Sequence, residues 1–223
     1  MSETLTPPTL VQAFLLIHKV ISRGLIVCVE KGADFLQAGF PDPAARQGYA
    51  LYVQSLAIVL DAHHLSEDEV AFPLLKEKIT QAPYEHLARH HQEIVALLQA
   101  VRGGIHLVEA SGAQADLAAL IDGLRKISDI WRPHIQIEEF YFSEEALAAG
   151  MSPEEQARVS ALISRHSQEH AVPASLALPF VLFNLEAPDR AVMAASLPAV
   201  LVEELIPKAW KAQWAPMQPF LLE

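Results

Sequence analysis

Cysteine occurs once in the 223 residues, at Cys28, so no disulfide can close within the chain. The start Met1-Ser2-Glu3-Thr4 lacks the basic and apolar regions of a secretory signal, and both features point to a reducing, cytoplasmic setting. Positive charge is short: 16 Lys plus Arg stand against 27 Asp plus Glu, a net charge of −11 with no basic cluster. Nucleic acid and anionic membrane surfaces are therefore not expected as partners. Long apolar runs are missing as well; the longest, Leu176 to Phe183, is too short to span a membrane and contains Pro179. Glycine is sparse at nine residues and no stretch alternates β-branched residues, so strands are not expected. No phosphate loop, nucleotide fingerprint or nucleophile–base pattern appears, which argues against hydrolase and kinase chemistry.

What remains is a chain that is 52% apolar with ten histidines. Turn signals at Ala38 to Pro43, Thr80 to Pro83, Ser111-Gly112 and Ala149-Gly150 divide residues 9–148 into four long helical segments. The expected fold is all-α, an up-down-up-down four-helix bundle. Residues 150–223 form a helical extension packed on the bundle or placed at a subunit interface, the latter allowing a homo-oligomer. That extension opens with the capping sequence Ser152-Pro153-Glu154-Glu155, and frequent prolines after Ala171 keep its later helices short.

Each long segment carries an apolar seam advancing by three and four residues, and every seam contains a histidine. These are His18, His63, His91 and His134. Two seams add a glutamate one turn later, in His63-x-x-x-Glu67 and His134-x-x-x-Glu138, so that an imidazole and a carboxylate share one helix face. A lone seam histidine is most simply a satisfied core residue. A charged glutamate on a seam, however, costs several kcal/mol unless it is paired or binds a cation. Counting from the turns at about 1.5 Å per residue brings the four histidines to one level. Nitrogen and carboxylate donors without thiolate fit iron, manganese or zinc, and two carboxylates favour a two-metal centre. The candidate ligands are His18, His63, Glu67, His91, His134 and Glu138. His64 and Asp68, one residue off the seam, are expected to face solvent or to support the ligands, and with His86 and His90 they are the alternate ligands. His166 and His170, with no seam carboxylate, are expected on the surface or in packing, and Trp131 and Tyr141 in the core.

The run His63-His64-Leu65-Ser66-Glu67-Asp68-Glu69-Val70-Ala71-Phe72-Pro73 resembles the first signature of hemerythrin-like (HHE cation-binding) domains, and His134-Ile135-Gln136-Ile137-Glu138-Glu139 resembles the second. His18 and His91 match the single-histidine helices of that family. The resemblance covers about residues 10–145 and implies a four-helix bundle with a non-haem site for two irons, able in some members to bind dioxygen or nitric oxide. One position departs from it: oxygen carriers of the family have a second histidine one turn before the position of His91, where this chain has Leu87. Two outcomes are expected. Either the third segment rotates to use His86 or His90, or the second metal has one protein ligand fewer, leaving a position open for chemistry. The leading functional expectation is a protein that binds or senses dioxygen, nitric oxide or peroxide, or handles iron. The alternatives are an oxidoreductase activating dioxygen or peroxide at two metals, and a metal-dependent regulatory or interaction protein. No catalytic residue is assigned.

Overall fold

A computed structural model describes residues 6–223; the start Met1-Ser2-Glu3-Thr4 lies outside the described residues. Among these the chain is all-α. Helix α1 (Leu10–Ala38) is opened by a capping box in which Thr9 and Gln12 exchange side-chain and backbone bonds. Helix α2 (Pro43–Ser66) is capped by Asp42 with proline in its first turn. It runs on through a π-helical turn, Glu67–Ala71, into the short α3 (Phe72–Leu75). Helix α4 (Tyr84–Ser111) ends at Gly112, whose φ of 62° is the left-handed conformation that stops a helix. Helix α5 (Gln114–Tyr141) follows at once and runs through Pro133, which lacks the N–H for one bond of the ladder immediately before His134. The long helices pack in a closed ring, α1 on α2, α2 on α4, α4 on α5 and α5 on α1, forming an up-down-up-down bundle.

Two details differ from the sequence expectation. The second seam was expected to continue at Val70 and Leu74, but the buried residues are Ala71 and Leu75, with Val70 and Leu74 only partly covered. The Phe72 N–H reaches Glu67 O, an i→i+5 bond, so the π turn absorbs one extra residue and shifts everything after it by one position. The fourth segment does not run to residue 148. Phe142 leaves the helical path, packing between Phe14, Phe72 and Tyr84, and Ser143 caps a new helix, α6 (Glu144–Gly150).

Beyond the bundle come α7 (Pro153–His170), opened by the Ser152–Glu155 capping box, α8 (Ala174–Phe183) and α9 (Ala187–Ala194). A π-helical stretch (Leu201–Ala209), α10 (Lys211–Trp214) and a 3-10 turn (Ala215–Phe220) complete the chain. This extension packs along α1 and α2, where glycines let it come close. A Cβ on Gly24 would stand 2.8 Å from the Phe180 ring, and one on Gly48 would strike the Pro216 carbonyl. The contact is fixed by a buried polar clamp. Tyr52 donates to Asn184 Oδ1 at 2.6 Å, and Arg23 donates to Asn184, to Tyr52 Oη at 3.2 Å and to the Phe220 carbonyl at 3.1 Å.

Uninterrupted runs understate how apolar the helices are. Helices α1 and α4 are long and apolar enough to cross a membrane by length and composition alone, and half of the most apolar window of α1 is buried in this fold. The core itself is in two parts. A large cluster includes Leu16, Val20 and Trp131; a smaller one includes Phe14, Phe72, Leu87 and Phe142. A layer of buried histidines and glutamates separates them.

Candidate metal centre

The layer is built from two carboxylates, each held between two histidines. On α2, His63 Nε2 lies 3.4 Å from Glu67 Oε1, one turn along the helix; from α4, His91 Nε2 comes within 3.4 Å of Glu67 Oε2. On α5, His134 Nε2 lies 3.3 Å from Glu138 Oε2, and His18 Nε2 reaches the same oxygen from α1 at 3.3 Å. All six side chains are buried. The six residues expected from the sequence therefore come together.

Behind the outer histidines stand two further carboxylates. Asp68 accepts from His91 Nδ1 at 2.8 Å and Glu139 accepts from His18 Nδ1 at 3.0 Å. A carboxylate on Nδ1–H fixes the tautomer and leaves the Nε2 lone pair directed inward, the usual support for a metal-binding imidazole. Asp68 thus has the supporting role that was one of its two expected places. Glu139 was missed, although the sequence carries its signal: each seam glutamate is followed at once by an acid, Asp68 after Glu67 and Glu139 after Glu138.

Among the alternates, His64 is the one that joins the layer. It is 1% exposed, neither facing solvent nor in a supporting position, and its ring stacks on that of His91 at 4.2 Å. It sits at the head of the π turn, where the Glu67 N–H is shared between the carbonyls of His63 and His64. The third long helix has not rotated. Leu87 and His91 are buried on the seam, His86 bonds Arg89, and His90 is half-buried with its ring 5.6 Å from that of His134. The first outcome expected from Leu87, a rotation that brings in His86 or His90, is therefore not what the fold shows, and the ring stacked on His91 is that of His64 from α2.

The ligand atoms form two groups, each within 4.8 Å: His18, His63, Glu67 and Glu138, and His64, Glu67, His91 and His134. Glu67 belongs to both. Within the second, His91 Nε2 and His134 Nε2 face each other at 3.2 Å. Many of these atoms find no hydrogen bond in the protein: His18 Nε2, His63 Nε2, both nitrogens of His64, and both oxygens of Glu67 and of Glu138. Each buried polar atom left so costs about 1–3 kcal/mol, more if charged, and folded proteins retain few. Cations at the two groups would engage one nitrogen of each of these histidines and the glutamate oxygens, leaving the second nitrogen of His64, with donors of a kind that bind at about 2.0–2.2 Å. The residues fit metal.

Electrostatics supports the same reading. Burial, then the neighbouring histidines, hold His63 and His64 well below the ordinary histidine value, in the neutral form that binds metal. Burial would also lower His18, but the carboxylates of Glu138 and Glu139 close beside it outweigh this and raise it. Burial pushes Glu67 well up, and the charges of Glu138 and Asp68 add to it. Burial pushes Glu138 up too, but His134 and His18 outweigh it and bring it below the usual carboxylate range. A carboxylate that burial alone drives toward protonation is one that a cation would hold ionised.

Trp131 forms one wall of the layer, with its ring 5.6 Å from His18 and His63, 5.9 Å from His64 and 5.8 Å from His134; its Nε1–H donates to Ser22. Tyr141 is half-buried and belongs to neither group. His166 packs α7 onto the π turn, 3.0 Å from Glu69 and 3.3 Å from Ser66, while His170 bonds the His166 carbonyl.

Residues 10–146 match the family described as the hemerythrin HHE cation binding domain. No curated protein and no solved structure matches the chain.

Proposed function

The chain belongs to the hemerythrin family of HHE cation-binding proteins, and on that premise we propose that it holds two iron ions and binds a small ligand, dioxygen, nitric oxide or peroxide, at them. One ion is held by His18, His63, Glu67 and Glu138, the other by His64, Glu67, His91 and His134. The observation that carries this reading is Glu67, a fully buried carboxylate common to two four-residue groups and without a hydrogen bond of its own. Iron at such a site supplies coordination and one-electron chemistry toward small oxygen and nitrogen species. The chain's residues keep the donors neutral or anionic, fix the His18 and His91 tautomers through Glu139 and Asp68, and exclude water with Trp131 and Phe72.

Zinc favours closed four-residue sites, so metal identity is the test. Aerobically purified protein is expected to carry two irons per chain and to absorb in the near ultraviolet. His64→Ala should remove one iron and His166→Ala none. Stoichiometric zinc without iron, or equal metal in the two variants, overturns the reading.

A further inference from the structure

Ions in the two groups leave two further ring nitrogens buried and without a partner. One is Nδ1 of His90, a residue that belongs to neither group; the other is Nδ1 of His134, whose Nε2 faces His91 and Glu138. The His90 and His134 rings meet edge to face at 5.6 Å. One turn back on α4, the His86 ring lies 4.3 Å from that of His90. His86 in turn lines a surface cleft of about 360 Å³ together with Lys76, Tyr84, Glu85 and Arg89. Three imidazoles thus stand in file from the cleft to the layer, the first two half-buried and the last fully buried.

Resting on the metal reading above, we propose that His86 and His90 are the loading path by which metal enters the layer, taken from a small anionic carboxylate chelate that docks on Lys76 and Arg89. The residues of the His64 group are buried, and the Phe72 ring stacks on His91 at 5.4 Å. Asp68 is exposed but reaches only Nδ1 of His91, behind the nitrogen that faces the group. A cation stripped of its ligands pays heavily in an apolar wall, so it needs donors that replace its oxygens one at a time. His86 and His90 supply them. The bare His90 Nδ1 costs about 1–3 kcal/mol as it stands, and a passing ion relieves that cost. Charge identifies the carrier. The chain carries −11, yet the cleft sets Lys76 and Arg89 against Glu85 alone, which favours an anion over a bare cation. Its volume lies in the range of roughly 300–1,000 Å³ that suits small organic molecules. Arg89 Nη2 donates to His86 Nδ1 at 3.2 Å and so occupies the lone pair that metal requires. A carboxylate on Arg89 draws that donor into a stronger, charge-assisted bond and frees the nitrogen. The ion keeps its oxidation state throughout; imidazole nitrogens replace the chelate oxygens, and the chelate returns to solvent.

Rates of metal uptake test this, with cobalt(II) as the probe, because it takes the same nitrogen and oxygen donors as iron and its visible absorption follows their arrival. The metal-free chain is mixed with cobalt citrate, an anionic chelate. His90→Leu should slow uptake about tenfold and His86→Ala about threefold, while the final cobalt content matches the wild type and neither thermal melt falls. His106→Ala, exposed on the same helix, should leave the rate unchanged. Arg89→Glu should slow uptake from cobalt citrate and quicken it from cobalt sulfate, since the reversed charge repels the chelate and attracts the bare ion. Uptake in both histidine variants within about twofold of the wild type overturns the proposal. So does loss of bound cobalt in His90→Leu, which makes His90 a ligand, or an Arg89→Glu chain that treats the two sources alike. A chain that binds cobalt but not iron refutes the choice of metal in the preceding section, and the cobalt rates then decide this proposal alone. A chain that binds neither overturns both.

Discussion

The half of the site on α1 and α5 and the half on α2 and α4 use the same parts. Each has a histidine, a glutamate one turn later, an acid directly after that glutamate, and a histidine from the adjacent helix that both carboxylates address. They differ in the backbone. Around His134 and Glu138 the helix is α-helical, and the polar residues lie on a single stripe. After His63 the π turn inserts a residue, and the stripe widens until His64 is also inside. The α2–α4 half thereby gains a donor, closes over it with Phe72, and supplies the carboxylate common to both groups. The α1–α5 half has no such extra histidine, and a cavity lined in part by His18 and Glu138 lies beside it. Equivalent residues thus come to differ in their surroundings, the α2–α4 half being the more crowded of the two.

The sharpest way to break this comparison is to remove each glutamate in turn. Glu67→Ala takes a donor from both groups and should reduce iron from two per chain to almost none. Glu138→Ala takes one from the first group only and should leave one iron bound. Metal analysis checks both. Equal losses would mean that Glu67 is not shared and that the halves are equivalent.

The next largest effect concerns the metal-free chain, where the asymmetry becomes a pH dependence. Between the ordinary histidine and glutamate values, 6.5 and 4.5, an unfolded chain protonates His63 and His64, whereas burial keeps both neutral in the fold. Glu67, raised by burial, acts oppositely: it is protonated in the fold and ionised when unfolded. His18, raised, and Glu138, lowered, bind the same number of protons in either state across this window. His90, half-buried and also lowered, adds to the two histidines, so the unfolded chain binds more protons and stability should fall as pH drops from 6.5 toward 4.5. Removing His64 by substitution with Leu should flatten that slope. Urea melts of chelated protein across this range measure it; a slope of the opposite sign would contradict the assignment of His63 and His64.

The asymmetry also explains what the sequence could convey. Four seams with three- and four-residue spacing were legible because each long helix buries one stripe, and so were the six seam residues that meet in the polar layer. The π turn was not legible, since an i→i+5 turn changes hydrogen bonding without a distinctive residue pattern; only Pro73 hinted at disturbance. His64 therefore ranked only as an alternate to the seam residues, and Val70 and Leu74 were expected where Ala71 and Leu75 are buried. The break at Phe142 was missed because an apolar residue there satisfies the seam period equally well as helix or as turn. Prolines announced the short helices of the extension, but the face they cover depends on Gly24 and Gly48, whose meaning appears only once Phe180 and Pro216 are placed against them.

A smaller effect sharpens the comparison at the supporting carboxylates. Asp68 and Glu139 are 40% and 39% exposed, so solvent screens them alike. Asp68→Asn should weaken the ion in the His91 group and Glu139→Gln the ion in the His18 group, each by about tenfold, the low end for loss of such a partner. Competition against a chelator, followed at one and at two irons per chain, separates the two. If either variant loosened both ions equally, support would not be divided between the halves.

The smallest expected effect lies one residue from Asp68. Glu69 belongs to the same π turn and is also an acid, but it points outward, 57% exposed, and its partner is His166 of α7 at 3.0 Å. A bond between an exposed carboxylate and a histidine on another helix is worth about 0–1 kcal/mol, because water screens the charges and both side chains lose freedom. Glu69→Gln and His166→Ala should therefore lower stability by less than about 1 kcal/mol in thermal melts. Iron content should stay at the wild-type level in both, in contrast to the loosened ion of Asp68→Asn. The π turn divides function between consecutive acids, Asp68 holding a histidine of the metal layer and Glu69 holding the extension. Loss of iron in Glu69→Gln would show that the docking of α7 maintains the turn itself, so that the extension would be a structural component of the α2–α4 half.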